Sequence, residues 1–201
     1  MGKLKNKTIA LMTGATNHSN ELREKNDYYA TEPISLQKFL NCIDFKLNRY
    51  VWECACGGNH LVNVLLKNNY VVFATDIINR NNNLIITSDF LAVNNKSKWK
   101  GDILTNPPFK LAEKFVEKGL SLLKPGNYLI LFQRIMFLES SKRYKLFQNN
   151  KPKYIYVHSS RVAIAKNGNF EKYAGGGKSM CYCWFVWQKG YKGETIIRWI
   201  P

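Results

Sequence analysis

At 201 residues the chain has room for one domain, or one domain with a small appendage, and its 45% hydrophobic, 13% aromatic composition supplies a buried core rather than a disordered chain. Thirty basic residues against fourteen acidic leave a formal charge of +16, the footprint of a polyanionic partner. No apolar run approaches the ~18 residues of a membrane helix, and the stretch from Ile9 to Met12 behind the first lysines is too short for a signal-peptide core, so a soluble, cytoplasmic protein without membrane contact is expected.

Residues 1–26 read as a polar arm, turn-rich from 13 to 26, and one domain is expected over 27–201. Helical spacing of Ile34, Leu36, Phe39, Leu40 and Ile43 predicts a helix over 34–43. Tyr50 to Glu53 reads as a buried strand, closed by the turn Cys56-Gly57-Gly58-Asn59 and followed by a helix over 60–68. Tyr70 to Thr75 is a second strand, ending at Asp76. A polar loop at 79–83 and a short extended stretch lead to Ser88-Asp89-Phe90. Asp102 to Thr105 is a third strand, running into Asn106-Pro107-Pro108-Phe109 and a helix over 110–123. Gly126 to Phe132 is a core strand, 137–148 a helix, and 154–165, 181–187 and 195–200 read as strands.

Strand and helix alternating through residue 148 predict a Rossmann-like α/β fold, with a mostly parallel sheet between helices and an antiparallel C-terminal strand. Half of the net charge falls between residues 134 and 180, where ten basic residues meet two acidic ones. This basic segment is the candidate nucleic-acid-binding insert. The cysteines are Cys42, Cys54, Cys56, Cys181 and Cys183. Two Cys-x-Cys pairs could form a four-thiolate zinc site, but each lies in a strand-like stretch whose successive side chains point to opposite faces. Structural thiols and no metal are expected.

In parallel sheets ligands sit beyond the carboxyl ends of the strands. Of the turns found there, Asn106-Pro107-Pro108-Phe109 is the most specific. Two prolines end the strand and stiffen the backbone, and the restriction on a residue before proline holds Asn106 extended. The Asn106 oxygen and the Pro107 carbonyl then present two acceptors to an exocyclic amine with two N–H donors. Phe109 offers a ring on which a planar base stacks. The plainer alternative is a rigid turn with Phe109 in the core. Upstream, Gly57 permits close backbone approach to a ligand, and Asp76, twenty-three residues after Glu53, suits a ribose diol.

These pieces resemble the S-adenosylmethionine-dependent DNA adenine-N6 methyltransferases, most closely the short phage-type members associated with DNA methylation and restriction-modification. Trp52-Glu53-Cys54-Ala55-Cys56-Gly57-Gly58-Asn59-His60-Leu61 is similar to that family's first cofactor motif, commonly W-E-P-A-C-G-x-G-x-L. Asp27-Tyr28-Tyr29-Ala30-Thr31-Glu32-Pro33 resembles the preceding segment, which closes over the methionine part of the cofactor. Asp76, Asp89-Phe90 and Asn106 to Phe109 match the next three motifs, and Tyr182 to Trp187 resembles the last strands. The resemblance implies Asn106, Pro107, Pro108 and Phe109 as catalytic residues. It implies Tyr28, Thr31, Glu53, Cys56, Gly57, Asn59, Asp76, Asp89 and Phe90 as cofactor-binding residues.

Cys54 stands where the family usually has proline and Asn59 where it has glycine; asparagine is the best non-glycine residue for a left-handed backbone. The implied reaction is direct attack of the N6 amine of a flipped-out adenine, with Arg161, Lys166 and Lys178 as phosphate contacts and DNA, or alternatively RNA, as the partner. No obligate protein partner is expected. A chain of the same fold that binds cofactor or nucleic acid without catalysis is the other reading.

Overall fold

The computed structural model describes residues 29–80, 85–94, 98–166, 168, 170 and 180–201; the expected arm over 1–26, Tyr28 and Lys178 lie outside them. Strand β1 (Tyr29–Thr31) leads into helix α1 (Pro33–Cys42), whose proline occupies the first turn, where a missing N–H costs nothing. Strand β2 (Tyr50–Glu53), helix α2 (His60–Lys67), strand β3 (Val71–Asp76) and the two-residue β4 (Ile86–Thr87) follow. Next come β5 (Asp102–Thr105), a 3₁₀ turn (Phe109–Leu111), α3 (Ala112–Leu122) and β6 (Tyr128–Arg134). Two further 3₁₀ turns, Ile135–Leu138 and Ser141–Arg143, precede α4 (Tyr144–Asn149). The last strands are β7 (Tyr154–His158), β8 (Ile164–Lys166), β9 (Tyr182–Gln188) and β10 (Ile196–Ile200).

Among the described residues, eight strands form one sheet in the order β10-β7-β9-β6-β5-β2-β3-β4. Every neighbouring pair is parallel except those made by β9, which runs antiparallel to both β6 and β7. This is the mostly parallel sheet with an antiparallel strand near the C-terminus that the alternation predicts; β10 adds a parallel edge strand beyond it. Strand β2 is the switch point, since the chain continues to β3 on one side and returns to β5 on the other. A crevice opens beyond the carboxyl ends at such a point. Strands β1 and β8 form a separate antiparallel pair, with Tyr29 opposite Lys166.

The period-two alternation of β5 and β6 gives the sheet two apolar faces. Leu104, Ile130 and Phe132 pack under Leu36 and Phe39 of α1 and Leu61 and Leu65 of α2. Ile103, Leu129 and Leu131 meet Phe115, Val116 and Leu120 of α3 and Leu146 of α4. With both faces covered, the central strands carry almost no polar side chain until their carboxyl ends.

The predicted helix over 137–148 is instead two 3₁₀ turns and the short α4. Ser140 breaks it: its backbone is extended and its hydroxyl accepts from the Lys142 N–H, which gives the chain a local alternative to the helix. Arg143 then reaches back to the carbonyls of Phe137 (2.8 Å) and Met136 (3.2 Å). The single strand expected over 154–165 is likewise divided. After His158 the chain leaves the sheet at Ser159, whose N–H is held by the Ile200 carbonyl at 2.8 Å, and its far end pairs with β1. The described part of the basic 134–180 segment supplies α4, β7 and β8.

Gly101 stands immediately before β5, where a Cβ would collide with the Tyr50 carbonyl oxygen. Because that neighbour is backbone, relief requires β2 and β5 to separate. Gly101→Ala is expected to destabilise the protein by about 2 kcal/mol, measured as a lower midpoint in urea denaturation with an unchanged slope.

Candidate functional site

The carboxyl ends of β2, β3, β5 and β6, together with β1, enclose a cleft of about 620 Å³. Its floor is the turn after β2. Gly57 takes a positive φ of 53° and Asn59 of 64°, conformations in which the chain reverses tightly into α2. The turn is tied to the next strand by the Cys56 N–H on the Thr75 carbonyl (3.1 Å) and the Gly57 N–H on Asp76 Oδ2 (2.8 Å). The other Asp76 oxygen accepts from the Ile78 N–H at 2.9 Å and from Arg80 Nη1 at 3.3 Å. Three donors thus engage a carboxylate with about four acceptor positions.

Glu53 ends β2 inside this cleft. One of its oxygens accepts from the Ala55 N–H at 3.1 Å, while the other is buried without a partner among the described residues. Burial pushes its pKa up to about 8, opposed by the neighbouring Thr105 hydroxyl and the Ala55 N–H and reinforced by the negative charge of Asp76. Thr31 Oγ1 is a second buried oxygen in the cleft wall without a partner.

One side wall is aromatic. Phe90 is buried, edge-on to Trp52 at 5.2 Å and stacked on Phe115 at 4.9 Å. Asp89 beside it is exposed and caps the following turn through the Leu91 N–H at 2.9 Å. The opposite side is the Asn106 to Phe109 corner. Asn106 Nδ2 donates to the Tyr29 carbonyl at 2.7 Å, and Asn106 Oδ1 is buried without a partner among the described residues. Pro107 is buried and Pro108 exposed. The 3₁₀ turn is closed by the Leu111 N–H on the Pro108 carbonyl at 2.8 Å. Phe109 is half-buried, with Tyr182 at 6.1 Å and the Arg134 guanidinium 4.9 Å above its ring.

Thr31, Glu53, Cys56, Gly57, Asp76, Asp89 and Phe90 thus share one cleft with Asn106, Pro107, Pro108 and Phe109. Asn59 is not among the cleft-lining residues: it is buried at the start of α2, and both ends of its amide lack a partner among the described residues. Arg161 is exposed between β7 and β8, and the Lys166 backbone closes β8. Cys54, Cys56 and Cys183 are buried free thiols, the first two at the end of β2 and the third three strands away. Among the described residues no group of three metal-ligating side chains comes together, nor is any helix long and apolar enough to cross a membrane. Sequence reading passed over several cleft residues, Tyr29, His60, Arg80 and Arg134 among them. Arg134 was discoverable as the first charge after the apolar run of β6, at a carboxyl end like the other site residues.

Neither a protein-family model nor a curated protein sequence matches the chain. Solved structures do. A protein assigned as a class I S-adenosylmethionine-dependent methyltransferase from Listeria monocytogenes superposes with a TM-score of 0.56 at 17% identity, over 98% of this chain and 72% of that one. The modification subunit of a type I restriction enzyme from Vibrio vulnificus YJ016 gives 0.56 at 16% identity, over 96% of this chain and 49% of that one. A protein assigned as a hemolysin from Lactococcus lactis gives 0.57 at 11% identity, over 81% and 89%. At such identities the likeness defines the fold. It is the Rossmann-like α/β fold of class I methyltransferases.

The Glu53 carboxyl gives the cleft a pH signature. In the unfolded chain it ionises near 4.5, in the folded one near 8. Between those values the native state keeps a proton that the unfolded state has lost, so this contribution to stability is full below 4.5 and disappears as pH rises toward 8. Urea denaturation is expected to show wild-type protein losing stability from pH 6 to 8 relative to Glu53→Gln, whose side chain does not titrate.

Proposed function

We propose that the protein methylates the N6 amine of adenine in DNA, using S-adenosylmethionine. The observation that carries this reading is the Asn106 side chain, anchored through its NH₂ to the Tyr29 carbonyl with its oxygen unpartnered, in the same cleft as the Gly57 turn and Asp76. An acceptor fixed at a cleft edge is what an amine nucleophile needs.

The residues present fit the cofactor. The Glu53 carboxyl and Thr31 hydroxyl, unpartnered among the described residues, can donate or accept, the remaining acceptor position of Asp76 suits a ribose hydroxyl, and Phe90 supplies an aromatic wall. Glu53, Thr31, Gly57 and Asp76 would hold the group, with Cys56, Asp89 and Phe90 around it; Tyr28 and Asn59 remain candidates by resemblance alone. When bound, it supplies a methyl group on a positively charged sulfur.

The chain's own residues do the rest. The N6 lone pair of adenine is delocalised into the ring. Acceptors on both of its hydrogens, Asn106 Oδ1 and the Pro107 carbonyl, draw nitrogen toward tetrahedral geometry and stabilise the positive charge that develops there. The two prolines hold these acceptors still, so little reorganisation is needed as the reaction proceeds. Phe109 receives the extruded base by stacking. Phosphates fall to the basic 134–180 segment, with Arg161, Lys166 and Lys178 as its contacts. The restriction-enzyme modification subunit among the structural relatives is in keeping with DNA as substrate.

Nucleoside mass spectrometry of DNA from cells producing the protein is expected to show N6-methyladenine; transfer of labelled methyl to RNA but not to DNA would move the assignment to RNA. Asn106→Ala is expected to reduce transfer by about a hundredfold or more with cofactor affinity within about twofold by calorimetry. Asp76→Ala is expected to weaken cofactor binding about tenfold. An unchanged isotherm would remove Asp76 from the ribose role.

A further inference from the structure

The ring proposed to receive the base is already covered. The Arg134 guanidinium lies 4.9 Å from the Phe109 centroid, and both residues line the cleft beside Asn106. Behind Phe109 the aromatic packing continues inward. The Tyr182 ring is 6.1 Å away at 31°, and Tyr182 itself stacks on Phe132 at 5.2 Å and 12°. Arg134 is the last residue of β6, paired in register with Tyr182 of β9, so its backbone is rigid while its side chain is exposed. Burial pushes the Tyr182 phenol up, and the Arg134 charge together with its hydrogen bond to the phenol oxygen opposes that rise, so withdrawal of Arg134 gives up that bond.

A guanidinium is a planar, delocalised cation that stacks on aromatic rings and on bases alike. A base inserted between Phe109 and Arg134 needs two stacking distances, roughly 7 Å. The present gap of 4.9 Å is too narrow, so Arg134 must withdraw by roughly 2 Å. Its exposure allows that motion within the rapid rotamer exchange of surface side chains.

We propose that Arg134 is the protein's own occupant of the nucleobase slot: it stacks on Phe109 in the free chain, then moves outward and covers the far face of the base that displaces it. This rests on the reading of Phe109 as the base platform. The arrangement keeps the platform from standing bare beside solvent. It also disfavours any group too thin or too polar to trade for a stacked cation. The role requires a plane as well as a charge. Lysine would preserve attraction to a phosphate but not the stack.

The test uses the whole protein saturated with S-adenosylhomocysteine, which fills the cofactor's own adenosine pocket, and neutral adenosine as the probe, which offers no phosphate. NMR follows the Arg134 Nε–H signal, assigned by its loss in Arg134→Lys, and the Phe109 ring signals. In free protein the Arg134 signal is expected to show a ring-current shift that disappears in Phe109→Ala. Adenosine is expected to move both sets of signals. Arg134→Ala and Arg134→Lys are both expected to weaken adenosine binding about two- to fivefold. If adenosine moves the Phe109 signals while Arg134 stays put, or if lysine restores wild-type affinity, the inference is overturned and the platform reading stands. If adenosine moves neither, both fall.

Discussion

The site depends on one hydrogen bond, from the Asn106 amide to the Tyr29 carbonyl at 2.7 Å. A side-chain amide has a donor end and an acceptor end, and only the environment decides which faces a ligand. Here the donor end is held by a main-chain carbonyl, and the oxygen is buried without a partner among the described residues. That carbonyl is itself fixed by pairing: β1 lies against β8 in antiparallel register, from Tyr29 opposite Lys166 to Thr31 opposite Ile164. The chemistry of a strand-end asparagine is thus set by two strands outside the main sheet.

The two ends of the sheet show what such an arrangement is for. Asp102, at the amino end of β5, is buried, yet it accepts from the Asn48 N–H at 2.6 Å and the Tyr128 N–H at 2.7 Å. The first bond ties the loop before β2 to β5 and the second ties β6 to β5, so the residue behaves as a structural clasp. At the carboxyl ends the buried oxygens of Thr31, Glu53, Thr105 and Asn106 have no partner among the described residues. Buried polar groups left unmet cost on the order of 1–3 kcal/mol each, and native structures tolerate few of them. Their gathering at one end of a sheet, around one cleft, fits stability conceded to ligand binding.

Much of this was legible in the sequence because the relevant signals are local. Glycine and asparagine after a strand, an acid ending the next strand and two prolines ending the third are each fixed by backbone requirements, and strand alternation places them at one edge. The failures have equally physical causes. Helical spacing over 137–148 was genuine, but the Ser140 hydroxyl competes for the backbone and splits the segment. Periodicity over 154–165 could not reveal that the strand changes partners after His158. Arg134 escaped because its role comes from a ring twenty-five residues earlier in the chain, a proximity that only the pairing of β5 with β6 creates.

The basic segment is the point where fold and proposed substrate meet. The described part of this stretch runs through α4 and β7 and returns at β8. Strand β8 closes with Lys166, opposite Tyr29, the residue whose carbonyl orients Asn106. Backbone next to the basic residues and backbone positioning the acceptor are therefore the same two-stranded unit.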